Sequence, residues 1–177
     1  MTVLFDACVL YPAPLRDILI ELAATGLFRA RWTDRIQEEW ISALLRERSD
    51  LRRKQLERTK KLMNRTVPEC LIEGYEDLIE SIQLPDPNDR HVIAAAIRGG
   101  GDTIITVNLK HFPESALSKY DLGAQHPDEF IHDQLDLHAQ SVVVSAQRCR
   151  SRLKNTSTPG RGRAWCSQLR SSQLTPM

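Results

Sequence analysis

Four side chains that carry oxygen atoms stand where predicted elements of the sequence begin or end: Asp6, Glu39, Asp89 and Asn108. Asp6 follows the apolar run 2–5 and Asn108 follows the run 102–107, so each comes directly after a predicted strand. The other two fall in the first turns of predicted helices. In an open parallel sheet, functional residues collect in the crevice at the carboxyl ends of the strands. We therefore expect the four side chains to meet at one edge of a sheet.

Three carboxylates and one amide in a shared pocket would suit a divalent cation, because Mg²⁺ and Mn²⁺ prefer oxygen ligands. Without a cation, clustering would raise the pKa values of some of these carboxyl groups, since like charges disfavour ionisation. A bound ion removes that cost, activates water and stabilises charge on a phosphoryl oxygen. The constellation predicts metal-assisted hydrolysis of a phosphodiester bond.

Each of the four residues also has an ordinary structural interpretation. Asp6 would cap the turn after its strand, and Asn108 would be a common turn residue. Asp89 would stabilise its helix by roughly 0.3–1 kcal/mol through the helix dipole. The helical pattern does not separate Glu39 from Glu38, and a surface glutamate is the commoner case.

Alternating strands and helices must position these residues. The predicted strands are residues 2–5, 27–32 and 102–107. The predicted helices are residues 15–25, a segment capped by Thr33 or Asp34, residues 51–63, residues 73–81, a segment opened by Asp86, and residues 130–154. Asp86 is a good N-cap with Pro87 in the first turn, and the glycines at 99–101 end that helix. The alternation predicts a three-layer α/β/α sandwich with a central parallel sheet.

Length and composition fit one reduced, non-membrane domain. The 177 residues are 41% hydrophobic, enough for a packed core, and no apolar run of about 18 residues occurs. The first residues lack the basic lead-in of a secretory signal, so we expect a cytoplasmic location. The cysteines lack zinc-ligand spacing and are expected to be plain thiols: Cys8, Cys70, Cys149 and Cys166. His91 and His111 likewise lack metal-pair spacing, and we expect both to be ordinary.

The charge is unevenly distributed. Residues 147–177 carry seven basic side chains and no acid, which leaves the first 146 residues with 17 − 23 = −6. Residues 46–65 hold nine Lys and Arg against three acids. This pattern fits a nucleic-acid enzyme that uses metal, and equally a solvated helix face. Residues 155–177 have no periodicity, so we predict a flexible basic tail after a domain at 1–154, with its core at 2–113.

Four segments resemble the PIN-domain ribonucleases, and most closely the bacterial branch that includes VapC-like toxins. They are VLFDACVL at 3–10, EEW at 38–40, DPNDRHVIAAA at 86–96 and ITVNLKHFP at 105–113. The resemblance covers about residues 2–113 and extends more weakly to about 154. It implies an α/β/α sandwich that binds Mg²⁺ or Mn²⁺ and cuts RNA to leave a 5′-phosphate.

The resemblance also implies residue roles. Asp6, Glu39 and Asp89 would be the metal ligands. Asn108 takes the catalytic position where many members have a fourth acid, which weakens the case for a second metal. Three further residues would serve RNA binding, with the first also positioning the metal water: Thr106, Arg90 and Lys110.

Partners and alternatives follow from the same resemblance. A toxin implies an antitoxin that covers the acidic pocket, and similar proteins commonly form homodimers. One alternative is a non-catalytic RNA- or protein-binding domain of the same fold, favoured by the amide at Asn108. Another is a phosphatase with an aspartyl nucleophile, which would want a second aspartate where this chain has Cys8.

Overall fold

Four short parallel strands form the central sheet in the order β2-β1-β3-β4. They are β1 (Thr2–Phe5), β2 (Arg29–Arg31), β3 (Thr103–Ile105) and β4 (Gly123–Gln125). A computed structural model describes residues 1–155, so the predicted tail beyond Asn155 lies outside the described residues. In the middle of the sheet, Val3 of β1 lies between Ala30 and Thr103.

Helices connect and cover these strands. Within the described residues the α-helices are α1 (Ala7–Leu10), α2 (Ala13–Ala23), α3 (Asp34–Glu47), α4 (Arg53–Thr66), α5 (Arg90–Arg98), α6 (Glu114–Leu117) and α7 (Pro127–Asn155). Short 3₁₀ turns lie at Glu76–Ser81, Pro87–Asp89, Leu109–His111 and Ser118–Tyr120. Although α7 has 29 residues, no helix within residues 1–155 has both the length and the apolar character needed to cross a membrane.

The strand order explains the layers. The chain moves from β1 to β2 on one side, then returns past β1 to β3 on the other. Right-handed crossovers in opposite directions place α2 on one face of the sheet and the α3–α5 segment on the other. The predicted three-layer α/β/α sandwich with a parallel sheet is confirmed. Because the strand order reverses between β1 and β3, the crevice at their carboxyl ends is the favoured place for an active site.

The core fixes the central strands from both faces. Val3, Leu4 and Phe5 are fully buried, as expected for a strand covered by helices on both sides. The Phe5 ring stacks on Trp32 with centroids 6.1 Å apart. Helix α5 packs against β1 and β3 through a buried run of small residues, Ala94–Ala96, which allows a close approach to the sheet.

Several predicted elements differ from the structure. The helix predicted at residues 73–81 is wrong in type, because Gly74 has a left-handed backbone (φ 67°) and a 3₁₀ turn begins only at Glu76. Asp86 does cap an element, since its side chain accepts from the Asn88 N–H at 2.9 Å, but that element is a 3₁₀ turn before α5. Strand β4 was not predicted, since Gly-Ala-Gln contains no β-branched or aromatic residue.

Helix α7 replaces the helical extension predicted at residues 130–154. It begins at Pro127 and is interrupted at His138, whose backbone is not helical (φ −142°, ψ 47°). Beyond this kink the helix packs along α2. There the buried carboxylate of Glu21 accepts hydrogen bonds from Arg148 at 3.2 Å and Arg152 at 2.7 Å.

Candidate active site

Asp6 stands at the carboxyl end of β1 and caps α1. Its backbone N–H donates to the Ile105 carbonyl at 3.1 Å, which extends the pairing of β1 with β3 by one residue. The carboxylate is only 7% exposed, and Oδ1 accepts from the Ala7 N–H at 2.7 Å. Oδ2 accepts from the Thr106 hydroxyl at 2.7 Å and from the Cys8 thiol at 3.0 Å. Three donors therefore fix the orientation of this carboxylate.

Thr106 lies directly after β3 and is fully buried. Its hydroxyl donates to Asp6 and accepts from the Asn108 N–H at 3.0 Å. Thr106 was predicted to help position the metal water or a phosphate and to contribute to RNA binding. The structure buries the Thr106 side chain completely, so an RNA strand outside the protein does not reach it. Its hydroxyl instead holds Asp6.

Cys8 is a half-buried thiol beside Asp6 that the sequence did not single out. Its Sγ lies 3.3 Å from the Thr106 hydroxyl and accepts from the Val107 N–H at 3.3 Å. Burial, followed by the negative charge of Asp6, raises the pKa of the Cys8 thiol to about 12. The thiol is therefore protonated at neutral pH.

Asp89 stands at the end of the 3₁₀ turn that leads into α5. Its Oδ2 lies 2.8 Å from His111 Nδ1. The pKa of Asp89 is raised, because burial and the negative charges of Asp6 and Asp86 outweigh the opposing effect of His111. The carboxylates of Asp6 and Asp89, 83 residues apart by their numbers, therefore repel each other across the same crevice.

Asp86, Asp89 and His111 each present one ligating atom, and these three atoms lie within 4.8 Å of one another. Asp6 and Glu39 stand outside this group. His111 was expected to be ordinary, and the structure instead places it against a predicted metal ligand. No local signal marks this role, because the contact joins residues 22 positions apart and depends on how the turn after β3 packs against the start of α5.

Glu39 projects from α3 toward α5. Its Oε1 lies 3.0 Å from Nε2 of the buried His91 and accepts from Arg35 Nε at 3.2 Å. Burial alone would raise the pKa of Glu39, but the hydrogen bonds and charges of His91 and Arg35 outweigh it, so the pKa lies below its usual value. Glu38 turns to α4 instead and binds Arg53 at 2.6 Å. The geometry thus favours Glu39 over Glu38 as the site residue.

The remaining predicted site residues follow β3 or begin α5. Asn108 follows β3 and is half-buried. Lys110 is exposed in the 3₁₀ turn Leu109–His111, where it is accessible to a phosphate. Arg90 begins α5 next to Asp89, and its buried Nε has no hydrogen-bond partner among the described residues.

Comparison with known protein families identifies the family of this chain. Residues 2–110, more than half of the chain, match the family model described as a PIN domain. The chain belongs to the PIN domain family. Residues 127–158 match a second family model, the VapC50 C-terminal domain. No solved structure matches the chain significantly.

A curated relative shares the VapC50 name with the second family model. The chain is 50% identical over 69 residues to a protein of Mycobacterium tuberculosis (strain ATCC 25618 / H37Rv) named "Putative ribonuclease VapC50". The match covers 39% of this chain and 40% of the relative's length. The resemblance to VapC-like PIN domains drawn from the sequence is therefore confirmed.

The donor set of this PIN domain fits a divalent cation. Asp86 and Asp89 offer carboxylate oxygens, and His111 adds one imidazole nitrogen, all within 4.8 Å of one another. Carboxylates suit Mg²⁺ and Mn²⁺, and an imidazole is tolerated better by Mn²⁺ than by Mg²⁺. Burial, together with the negative charges of Asp6 and Asp86, raises the pKa of Asp89, and a cation would oppose this rise.

Proposed function

We propose that this PIN domain is a metal-dependent endoribonuclease that hydrolyses RNA phosphodiester bonds. The observation that carries the proposal is the group Asp86, Asp89 and His111, whose ligating atoms lie within 4.8 Å of one another, with the negative charge of Asp6 acting on Asp89 from the end of β1. The name of the VapC50 relative supports RNA as the substrate.

Asp6, Asp89 and Glu39 are the ligands that we propose for Mg²⁺ or Mn²⁺, and Asp86 and His111 present further ligating atoms close to that of Asp89. When bound, such an ion supplies Lewis acidity toward a phosphoryl oxygen and toward water. Glu39 and Asp6 differ in how they are held, because Glu39 contacts Arg35 and His91, whereas the groups that donate to Asp6 are neutral.

Side chains around the crevice would complete the chemistry. The Thr106 hydroxyl donates a hydrogen bond to Asp6 and contributes no charge. Arg90 and Lys110 are the cations placed to bind phosphate oxygens of the RNA strand. His111 holds Asp89 through Nδ1 and can carry a proton next to it. Asn108 brings an amide where many relatives have an acid, so the site has one negative charge fewer and suits one metal ion.

We further propose that the protein is the toxin of a toxin–antitoxin pair and acts in the cytoplasm. The VapC-like character of the chain supports this role. An antitoxin that covers the crevice would need cationic groups to face Asp86 and Asp89. Homodimerisation stays a prediction from the family resemblance.

The test is cleavage of a mixed RNA pool with and without Mg²⁺ or Mn²⁺, comparing the full chain with Asp89→Asn. We expect the metal-dependent cleavage of the wild type to fall at least about 100-fold in the variant, since a ligand is lost. Glu129→Gln, an exposed site on α7, is the matched control and should cleave normally. Equal cleavage by wild type and Asp89→Asn would refute the assignment.

A non-catalytic RNA-binding domain remains the second candidate, because Asn108 stands where a fourth acid would act. The same assay separates the two functions. A binding domain would retain RNA without a divalent ion and would release no fragments at any metal concentration.

A further inference from the structure

The Cys8 sulfur lies between the two chain segments that form the carboxyl edge of the sheet. Sγ is 3.0 Å from Asp6 Oδ2 and 3.3 Å from the Thr106 hydroxyl, and the Val107 N–H donates to it at 3.3 Å. Asp6 and Cys8 come from the end of β1 and the start of α1, whereas Thr106 and Val107 follow β3. The sulfur thus joins both segments at the point where Asp6 must be held.

We infer that Cys8 is a positioning residue that fixes the Asp6 carboxylate for metal binding, an inference that rests on the proposed metal-dependent function. The thiol donates to Asp6 while it accepts from a backbone N–H, so its rotation is set by the segment after β3. Groups that hold a ligating side chain in this way matter, because their loss typically reduces metal affinity about 10–100-fold.

The geometry gives Cys8 a task that Thr106 does not perform alone. Thr106 approaches Oδ2 from β3, whereas Cys8 approaches it from the first turn of α1, so the two donors meet the same oxygen from different segments. The two donor groups are themselves in contact at 3.3 Å. Removing the thiol would leave Oδ2 with one donor and would leave the Val107 N–H without this acceptor.

The test measures Mn²⁺ binding directly, using the electron paramagnetic resonance signal of free Mn²⁺ and the full chain. We expect Cys8→Ala to bind Mn²⁺ about 10-fold more weakly than the wild type. Cys8→Ser keeps a donor and an acceptor and should recover most of the affinity. Cys149→Ala, the same change at a half-buried cysteine on α7, is the matched control and should bind like the wild type.

A second readout uses RNA cleavage as a function of Mn²⁺ concentration. If Cys8 only positions Asp6, the alanine variant should need more Mn²⁺ but reach a similar maximal rate. Cys8→Val, which fills the space without a donor, should behave like Cys8→Ala and decides the question if the alanine variant fails to fold.

The outcomes separate the two proposals. Unchanged Mn²⁺ affinity in folded Cys8→Ala or Cys8→Val would overturn the role of Cys8 and leave the nuclease proposal standing. Equal weakening in Cys8→Ser and Cys8→Ala would overturn it as well, because a polar replacement would then rescue nothing. A wild type that binds no Mn²⁺ would overturn the proposed function and this inference together.

Discussion

The buried imidazole of His91 lies 3.0 Å from the Glu39 carboxylate and joins α5 to α3 beside the carboxyl edge of the sheet. His91 is 2% exposed, whereas the Glu39 side chain is 37% exposed. A buried group thus holds a partly exposed carboxylate. Because Asp89 immediately precedes α5 in the chain, the same helix positions two of the predicted site acids.

Replacing His91 by Ala should change the pH dependence of cleavage. Burial raises the pKa of Glu39, and His91 and Arg35 together reverse that effect. Without His91 the pKa of Glu39 should rise, so the acidic limb of the pH–rate profile should move to higher pH. The profile measured between about pH 4.5 and 8 checks this expectation. A limb that stays in place would argue against Glu39 as a group that must be ionised.

Asp89→Asn should stabilise the metal-free protein at neutral pH while it removes activity. The pKa of Asp89 is raised in the folded state, so folding favours its protonated form and stability is lost as the pH rises from the unfolded-state pKa through the higher folded-state pKa. Asparagine removes the charge and can keep a contact with His111. We expect the unfolding temperature in EDTA to rise by a few degrees, since about 1 kcal/mol shifts it by roughly 2–4 °C in a chain of this size.

The pH dependence of the stability difference between Asp89→Asn and the wild type provides an internal control. Below the unfolded-state pKa of about 3.9, aspartate is protonated in both states and the difference between variant and wild type should vanish. A variant less stable than the wild type at pH 7 would show that the hydrogen bond with His111 outweighs the repulsion by Asp6 and Asp86.

Thr106→Val should separate the hydroxyl from the shape of this side chain. The change leaves the Asn108 N–H without its acceptor and removes one donor from Asp6. Loss of a buried hydrogen-bond partner costs about 1–3 kcal/mol, so denaturant unfolding should show a destabilisation of that order. Thr106→Ser keeps the hydroxyl and should lose less stability and bind Mn²⁺ almost normally. If the Val and Ser variants had equal stability and equal Mn²⁺ affinity, the hydroxyl would have no role in holding Asp6.

The outer face of α4 should contribute to RNA affinity through charge alone. Leu56 and Met63 are buried against the domain. Four exposed cations line one outer face of the helix at spacings of four, three and four residues: Lys54, Arg58, Lys61 and Arg65. Two other α4 cations bind α3 instead, Arg53 to Glu38 and Lys60 to Asp34. The four outer cations are therefore free to meet an RNA backbone.

The measurement is RNA affinity as a function of salt, in an Asp89→Asn background that does not cleave. Each phosphate contact contributes about 0.7 to the slope of log K against log[salt] for a single strand. Replacing all four cations by Gln should lower the slope by up to about 2.8. A slope that does not change would mean that the face of α4 is merely solvated.

The sequence predicted where β1 and β3 end, because one local signal sufficed there. An apolar run that ends at Asp6 and another that ends before Asn108 mark two buried strands, and parallel pairing brings their ends together. The N-cap at Asp86 placed Asp89 at the start of a helix, although the first turn is a 3₁₀ turn. These features are encoded within a few residues, so pattern and capping rules detect them.

The partners of these acids could not be predicted, because they depend on tertiary contacts. His91 and His111 have no informative spacing in the chain, and only the packing of α5 and of the loop after β3 brings them to Glu39 and Asp89. Cys8 looked like a plain thiol for the same reason. The order of β4 in the sheet was also missed, since Gly123–Gln125 becomes a strand only by pairing with β3.

The pairing of β1 with β3 has a consequence for synthesis of the protein. The hydroxyl that orients Asp6 belongs to Thr106, which is synthesised 100 positions later in the chain. While the chain emerges from the ribosome, Asp6 therefore waits for half of its surroundings. The proposed nuclease centre would be complete only after β3 has docked beside β1.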